Sequence, residues 1–138
     1  MTNLFTYGSL MSEDIMHHVS GCKPANQTAI LHNFRRVKVR NEHYPGLYPK
    51  QGTSVNGRIY FDLPPQAINR LDIFEGEYYS RENVTVQTGA GEEKSTMAYI
   101  FKPTYYHLLS EEEWLYSEFL ATGKSEFVKD YFGFDKIS

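Results

Sequence analysis

The 138-residue sequence contains one cysteine, Cys22. No disulfide can form within the chain, and such cysteine usage points to a reducing, cytoplasmic setting. Cys22 follows a helix stop at Gly21 and has no base beside it in sequence, which argues against a nucleophilic role. The five histidines, His17, His18, His32, His43 and His107, make no i, i+4 pair, and there is no Cys-x-x-Cys. Metal-ligand spacing is therefore missing, and no metal site is expected. No nucleophile-elbow pattern is present either. No apolar run approaches the ~20 residues that a membrane-spanning helix needs. The amino terminus enters a strand pattern directly, without a basic segment ahead of an apolar run, so neither a secretory signal nor a membrane partner is expected. Two glycosylation-type triplets, Asn26-Gln27-Thr28 and Asn83-Val84-Thr85, are then chance matches. Positive charge is also in short supply: 14 Lys and Arg against 17 Asp and Glu, a formal net charge of −3. That balance argues against nucleic acid as a partner. The one basic run, Arg35 to Arg40, alternates with valine and predicts a strand with one solvated, charged face. Repeats, low-complexity tracts and linkers are absent, which predicts a single domain over 1–138.

Aromatic side chains are abundant, with eleven Tyr and nine Phe. Tyrosine joins apolar area to a hydroxyl and suits a core that borders a polar cleft. Asn3 to Tyr7 reads as a short strand. Ser12 caps a predicted helix through Val19, with Glu13 and Asp14 in its first turn and Gly21 as its stop. Thr28 to Phe34 and Arg35 to Arg40 are predicted extended, and Asn41 to Pro49 is predicted to be a loop. Ser54 to Leu63 reads as a strand whose Gly57 marks a bulge or a close approach. Pro64-Pro65 opens a helix with Ala67, Ile68, Leu71 and Phe74 on one face. Tyr79 to Gln87 and Thr96 to Phe101 form a predicted hairpin across Gly89 to Glu93. Ser110 and Glu113 make a capping-box pattern ahead of Trp114, Leu115, Phe119 and Leu120, which predicts helices from about residue 110. Ser125 caps a last short helix ending near Gly133. About six strands and four helices in irregular order predict an α+β fold with a mixed, barrel-like sheet.

Chemistry-bearing residues concentrate in two places. Asp72 and Glu75 stand at i, i+3 near the end of the predicted helix, with Glu75 between core-type Phe74 and the helix-ending Gly76. An acid pair of this kind is either a solvated helix end or a half-buried acid–base group. Arg81, on the return strand, can pair with Asp72 or Glu77 and leave Glu75 for chemistry. The second place is Tyr7-Gly8-Ser9-Leu10, where a strand breaks into a glycine loop. It is either a plain turn or a run of backbone amides that binds a carboxylate or oxyanion. Tyr44-Pro45-Gly46-Leu47 is likewise a rigid turn or a cleft wall.

Tyr7-Gly8-Ser9-Leu10, Tyr44-Pro45-Gly46 and Leu71-Asp72-x-x-Glu75-Gly76-x-x-Tyr79-x-Arg81, in this order and spacing, resemble the gamma-glutamylcyclotransferase-like superfamily. The likeness is greatest to its small gamma-glutamylamine cyclotransferases and their plant avirulence-induced relatives, and it runs from about Leu4 to Phe101. The resemblance implies a compact mixed β-barrel with flanking helices and a cavity at its open end. It implies that Glu75 is the catalytic acid/base, that Tyr7, Gly8, Ser9 and Leu10 bind a glutamyl moiety, and that Tyr79 and Tyr99 line the pocket. It further implies that no metal or organic cofactor is used and that the substrate is a small gamma-glutamyl amide, cyclised to 5-oxoproline with release of an amine. Two other readings use the same residues: a binding module for an amino-acid-like ligand, and a glycosidase using Asp72 with Glu75, which two acids on one helix turn make geometrically awkward. Neither the leaving amine nor the oligomeric state is specified by the sequence.

Overall fold

The computed structural model describes the backbone of residues 1–132 and side chains through Lys129. Six strands form one sheet: β1 Thr2–Thr6, β2 Asn26–Val39, β3 Pro45–Leu63, β4 Tyr79–Thr88, β5 Glu93–Phe101 and β6 Leu109–Glu113. Their order is β3-β1-β5-β4-β2-β6, and β2 also pairs with β3. That extra pairing closes β1 to β5 into a five-stranded barrel and leaves β6 as a strip along the end of β2. All pairings are antiparallel except β1 with β5. The expected mixed barrel with flanking helices is the observed architecture.

Two apolar clusters occupy the two faces of this sheet. Phe5, Leu31, Ile59, Val86 and Ile100 belong to a cluster fed by all five closed strands, which fills the barrel. Leu4, Leu63, Tyr99 and Phe101 point the other way. They pack against α1 Glu13–Ser20, α2 Pro65–Glu75 and the carboxy-terminal helical segment. Period-two alternation along β1 and β5 produces this division. Gly57 is where the barrel is tightest. A Cβ there would lie 2.2 Å from the Thr6 carbonyl oxygen and 2.5 Å from Phe5 Cζ. The close-approach reading of Gly57 is therefore the correct one.

Three local expectations need correction. Asn41 to Pro49 is not all loop, because β3 begins at Pro45 and pairs Pro45 with Lys38 and Pro49 with Phe34. Proline suits a strand margin where no N–H is required. Ser110 does not cap a helix. Its Oγ donates to the Lys38 carbonyl at 2.8 Å as Leu109 to Glu113 pair with β2. Sheet pairing across the molecule outweighs the local capping pattern, and helix starts only at α3 Tyr116–Glu118. It continues through a π-helical turn, Phe119–Gly123, into α4 Lys124–Phe132, so Ser125 lies inside a helix rather than at a cap. The predicted stop at Gly133 falls outside the described residues. Among the described residues no helix is long and apolar enough to cross a membrane.

Candidate active site

β1 carries the chain to the barrel rim at Thr6, where it passes through Tyr7 and Gly8 into a single 3-10 turn, Ser9–Met11. The first N–H groups of such a turn have no acceptor within it. The amides of Met11 and Ser12 donate to the Gly8 and Ser9 carbonyls at 3.0 and 3.1 Å. Those of Ser9 and Leu10 have no acceptor among the described residues. Tyr7 is held at both ends. Its hydroxyl donates to the Tyr99 carbonyl at 2.5 Å, and its own carbonyl accepts from Arg36 Nη1 at 2.8 Å. Pro45 closes over Gly8: a Cβ at Gly8 would lie 2.8 Å from Pro45 Cδ and 3.0 Å from Cγ. Gly8→Ala is expected to tilt the loop away from Pro45. The cost in stability should be about 1 kcal/mol, at the low end for overpacking. The loss of any loop-dependent activity should be tenfold or more, because small misplacements of positioning groups are expensive. Paired denaturation and turnover measurements check this; equal fractional losses in both would count against a positioning role.

Glu75 is the last residue of α2, whose Ala67, Ile68 and Leu71 are buried. The helix ends there because Gly76 turns to φ +80°, with its amide donating to the Asp72 carbonyl at 3.1 Å. One turn back, the Asp72 carboxylate is fully engaged. It accepts from Arg81 Nε at 2.9 Å, Arg81 Nη2 at 3.3 Å and the Tyr99 hydroxyl at 2.7 Å. Of the two partners considered for Arg81, Asp72 is the one it takes; Glu77 instead accepts from Tyr105 at 2.9 Å. Glu75 accepts no hydrogen bond among the described residues. The residue keeps some accessible surface toward the cavity, but protein surrounds its carboxyl group closely. Burial, and then the nearby Asp72 charge, push its pKa up to about 8. Such an acid is poised to exchange protons near neutral pH. Burial foremost also raises the pKa of Tyr7 and of Tyr99, with Glu75 adding to both, so both phenols stay neutral.

All seven residues singled out in the sequence, Glu75 with Tyr7, Gly8, Ser9, Leu10, Tyr79 and Tyr99, line one cavity. It shares Ser9, Tyr44, Glu75 and Tyr79 with an outer compartment that opens to solvent. Tyr44 and Pro45 form a wall of the inner chamber, so the cleft-wall reading of that segment holds. Tyr79 spans the chamber, its hydroxyl donating to the Pro45 carbonyl at 2.7 Å. Asp72 lines neither compartment, which removes it as a partner acid for a glycosidase. Among the described residues no group of three His, Cys, Asp or Glu side chains is placed to hold a metal.

Residues 4–116 match a family model described as gamma-glutamyl cyclotransferase, AIG2-like. The chain belongs to this family. AIG2-like protein D of Arabidopsis thaliana is 32% identical over 138 residues, covering 94% of this chain and 91% of that protein. AIG2-like protein C of the same plant is 28% identical, covering 91% and 73%. An Arabidopsis thaliana protein solved in solution superposes with a TM-score of 0.72 at 22% identity, covering 99% of this chain and 95% of that one. A solved gamma-glutamyl cyclotransferase superposes at 0.64 with 21% identity, covering 73% and 66%. At those identities the structural likeness establishes the AIG2-like fold.

Two parts of this AIG2-like site were missed in the sequence. Arg36 sits on the strand predicted to have a solvated charged face, yet it is half-buried. Its guanidinium lies 5.1 Å from the Trp114 ring centroid while Nη1 bonds the Tyr7 and Asn56 carbonyls. The alternating charges of β2 carry no local mark that separates Arg36 from its neighbours. Phe127, on α4, reaches the outer compartment from beyond the family-matched region. Its place on an apolar helix face signals burial but not against what.

Proposed function

We propose that this protein is a cofactor-free gamma-glutamyl cyclotransferase that converts a gamma-glutamyl amide into 5-oxoproline and a free amine, in the reducing cytoplasm. The observation that carries the reading is the cavity shared by a half-buried acid, Glu75, and the amides of Ser9 and Leu10, none of which has a hydrogen-bond partner among the described residues. The substrate supplies its own nucleophile. Its α-amine folds back onto the γ-carbonyl carbon, a C–N bond closes the five-membered ring, and the bond to the leaving nitrogen breaks. No side-chain nucleophile is required, and among the described residues no Cys, Lys or His lines the chamber. Holding the substrate in the ring-closing shape can be worth on the order of 7–11 kcal/mol.

Glu75 moves the protons. As carboxylate it takes one from the α-ammonium, freeing the lone pair for attack, and then delivers it to the departing nitrogen. The lactam nitrogen loses its second proton to the medium, where the amine becomes ammonium. The developing oxyanion is met by the amides of Ser9 and Leu10. A donor of this type is typically worth roughly 2.7–4 kcal/mol. Tyr7, Tyr79 and Tyr99 shape the chamber, and Arg36 with the Tyr99 carbonyl fixes Tyr7.

The test is direct assay of 5-oxoproline from gamma-glutamyl amides across pH. In the free enzyme Glu75 must ionise before it can act as base, so kcat/KM should fall about tenfold per pH unit below pH ~8. The alkaline limb belongs to the substrate ammonium. In kcat the acid limb should lie lower, because a bound ammonium stabilises the carboxylate. Ligand binding without 5-oxoproline would support the binding module instead, and a kcat/KM that is flat from about pH 6 to 8 would remove Glu75 as the base.

A further inference from the structure

We infer that the outer compartment selects arylalkyl amines as leaving groups and rejects leaving groups that carry a carboxylate. This rests on the cyclotransferase reading and adds to it the chemical class of the amine. With the glutamyl part held in the inner chamber, the scissile bond lies at Glu75, which borders both compartments. The leaving group must therefore project outward past Glu75.

Five of the nine residues lining that outward path are aromatic: Tyr44, Phe74, Tyr78, Tyr79 and Phe127. Phe74 and Phe127 meet edge to face, with ring centroids 5.9 Å apart. Tyr78 is braced by Tyr105 at 4.7 Å and Phe101 at 6.0 Å. These rings are fixed by neighbours and present a rigid apolar wall, which favours a flat ring over a flexible polar chain. Apart from the tyrosines, the titratable side chains on the path, Glu75 and Glu77, are both acidic, and no Lys, Arg or His lines the outer compartment among the described residues. A carboxylate on the leaving group, as in a gamma-glutamyl amino acid or peptide, would face these acids without a counter-charge. The amine, once protonated, would instead be drawn to the ring faces and to Glu77.

Phe127 makes α4 a selectivity element. The segment lies outside residues 4–116, the part matched by the family model, whereas Tyr44, Phe74, Tyr78 and Tyr79 lie within it, so one ring of the wall comes from a different part of the chain.

Gamma-glutamyl-phenethylamide and gamma-glutamyl-phenylalanine differ only by the carboxylate, and gamma-glutamyl-methylamide lacks the ring. On the full chain, kcat/KM should be at least tenfold higher for the phenethylamide than for either of the others. Glu77→Gln, an exposed change, should narrow the gap to the phenylalanine compound severalfold. Phe127→Leu should narrow the gap to the methylamide. Equal or better turnover of the phenylalanine compound, with ratios unmoved in Glu77→Gln, overturns the inference while leaving the cyclotransferase intact. Absence of 5-oxoproline from all three compounds sinks both, and the methylamide separates the two failures because it does not depend on the outer wall. If Phe127→Leu does not fold, the Glu77→Gln ratio and the wild-type substrate pair still decide the matter.

Discussion

Glu75→Gln is expected to lower 5-oxoproline formation by roughly 10²–10⁴-fold, the usual contribution of a positioned acid–base group. The same change should make the protein more stable at neutral pH. Glutamine keeps the size and polarity of the side chain but has no charge to bury. The sign follows from the raised pKa. A carboxyl titrating at about 8 in the folded protein and near its ordinary value when unfolded binds its proton more tightly in the folded state. Its favourable contribution is complete in acid and is lost as pH rises toward about 8. At pH 7 the penalty removed by glutamine is on the order of 3 kcal/mol. Accessible surface toward the cavity lowers that figure. Urea titrations of both forms should diverge between about pH 5 and 8 and converge near pH 4. Retained turnover in the variant would exclude the proposed mechanism. Lower turnover without a stability gain at pH 7 would show that Glu75 is not held against its charge.

Gly57→Ala is expected to be the most damaging single methyl addition. Its Cβ would meet the Thr6 backbone oxygen at 2.2 Å and the Phe5 ring at 2.5 Å. Phe5 fills the barrel and cannot swing out, and the carbonyl is fixed by β1–β3 pairing, in which Thr6 stands opposite Arg58. Overpacking of this severity belongs at the top of the range, about 3 kcal/mol. Thr6 leads directly into Tyr7 to Leu10, so relief of the clash would also move that loop. Activity should therefore fall even at temperatures where the variant remains folded. Thermal denaturation followed by assay well below Tm tests both parts. A loss under 1 kcal/mol with full activity would mean that the barrel yields elsewhere.

Most of the fold was readable because its signals are local. Gly21 and Gly76 ended helices as expected, Pro65 began one, and the glycine turn after Thr88 marked the β4–β5 hairpin. Leu109 to Glu113 was not readable. A capping box is a local preference of modest size, and it yielded to pairing with β2, some 70 residues earlier in sequence. The site was legible as two fragments, an acid beside a helix-ending glycine and a glycine loop after a strand. Their meeting is a property of barrel closure, which no short window contains. Arg36 and Phe127 were hidden for a related reason: one holds a loop through a backbone carbonyl and the other closes a compartment from a distant helix, and neither contact leaves a periodic trace.

The parallel pairing of β1 with β5 brings Leu4 beside Met97 and Phe5 beside Ala98. Contacts this far apart in sequence are reached late, after most of the chain's loop entropy has been surrendered, and they slow folding. Tyr7, one residue beyond β1, is locked by its hydroxyl to the carbonyl of Tyr99 on β5. The cavity therefore depends on barrel closure and, on unfolding, cannot outlast the barrel. A nascent chain still lacking β5 would have neither the Tyr99 carbonyl that holds Tyr7 nor a closed barrel, and so no formed cavity.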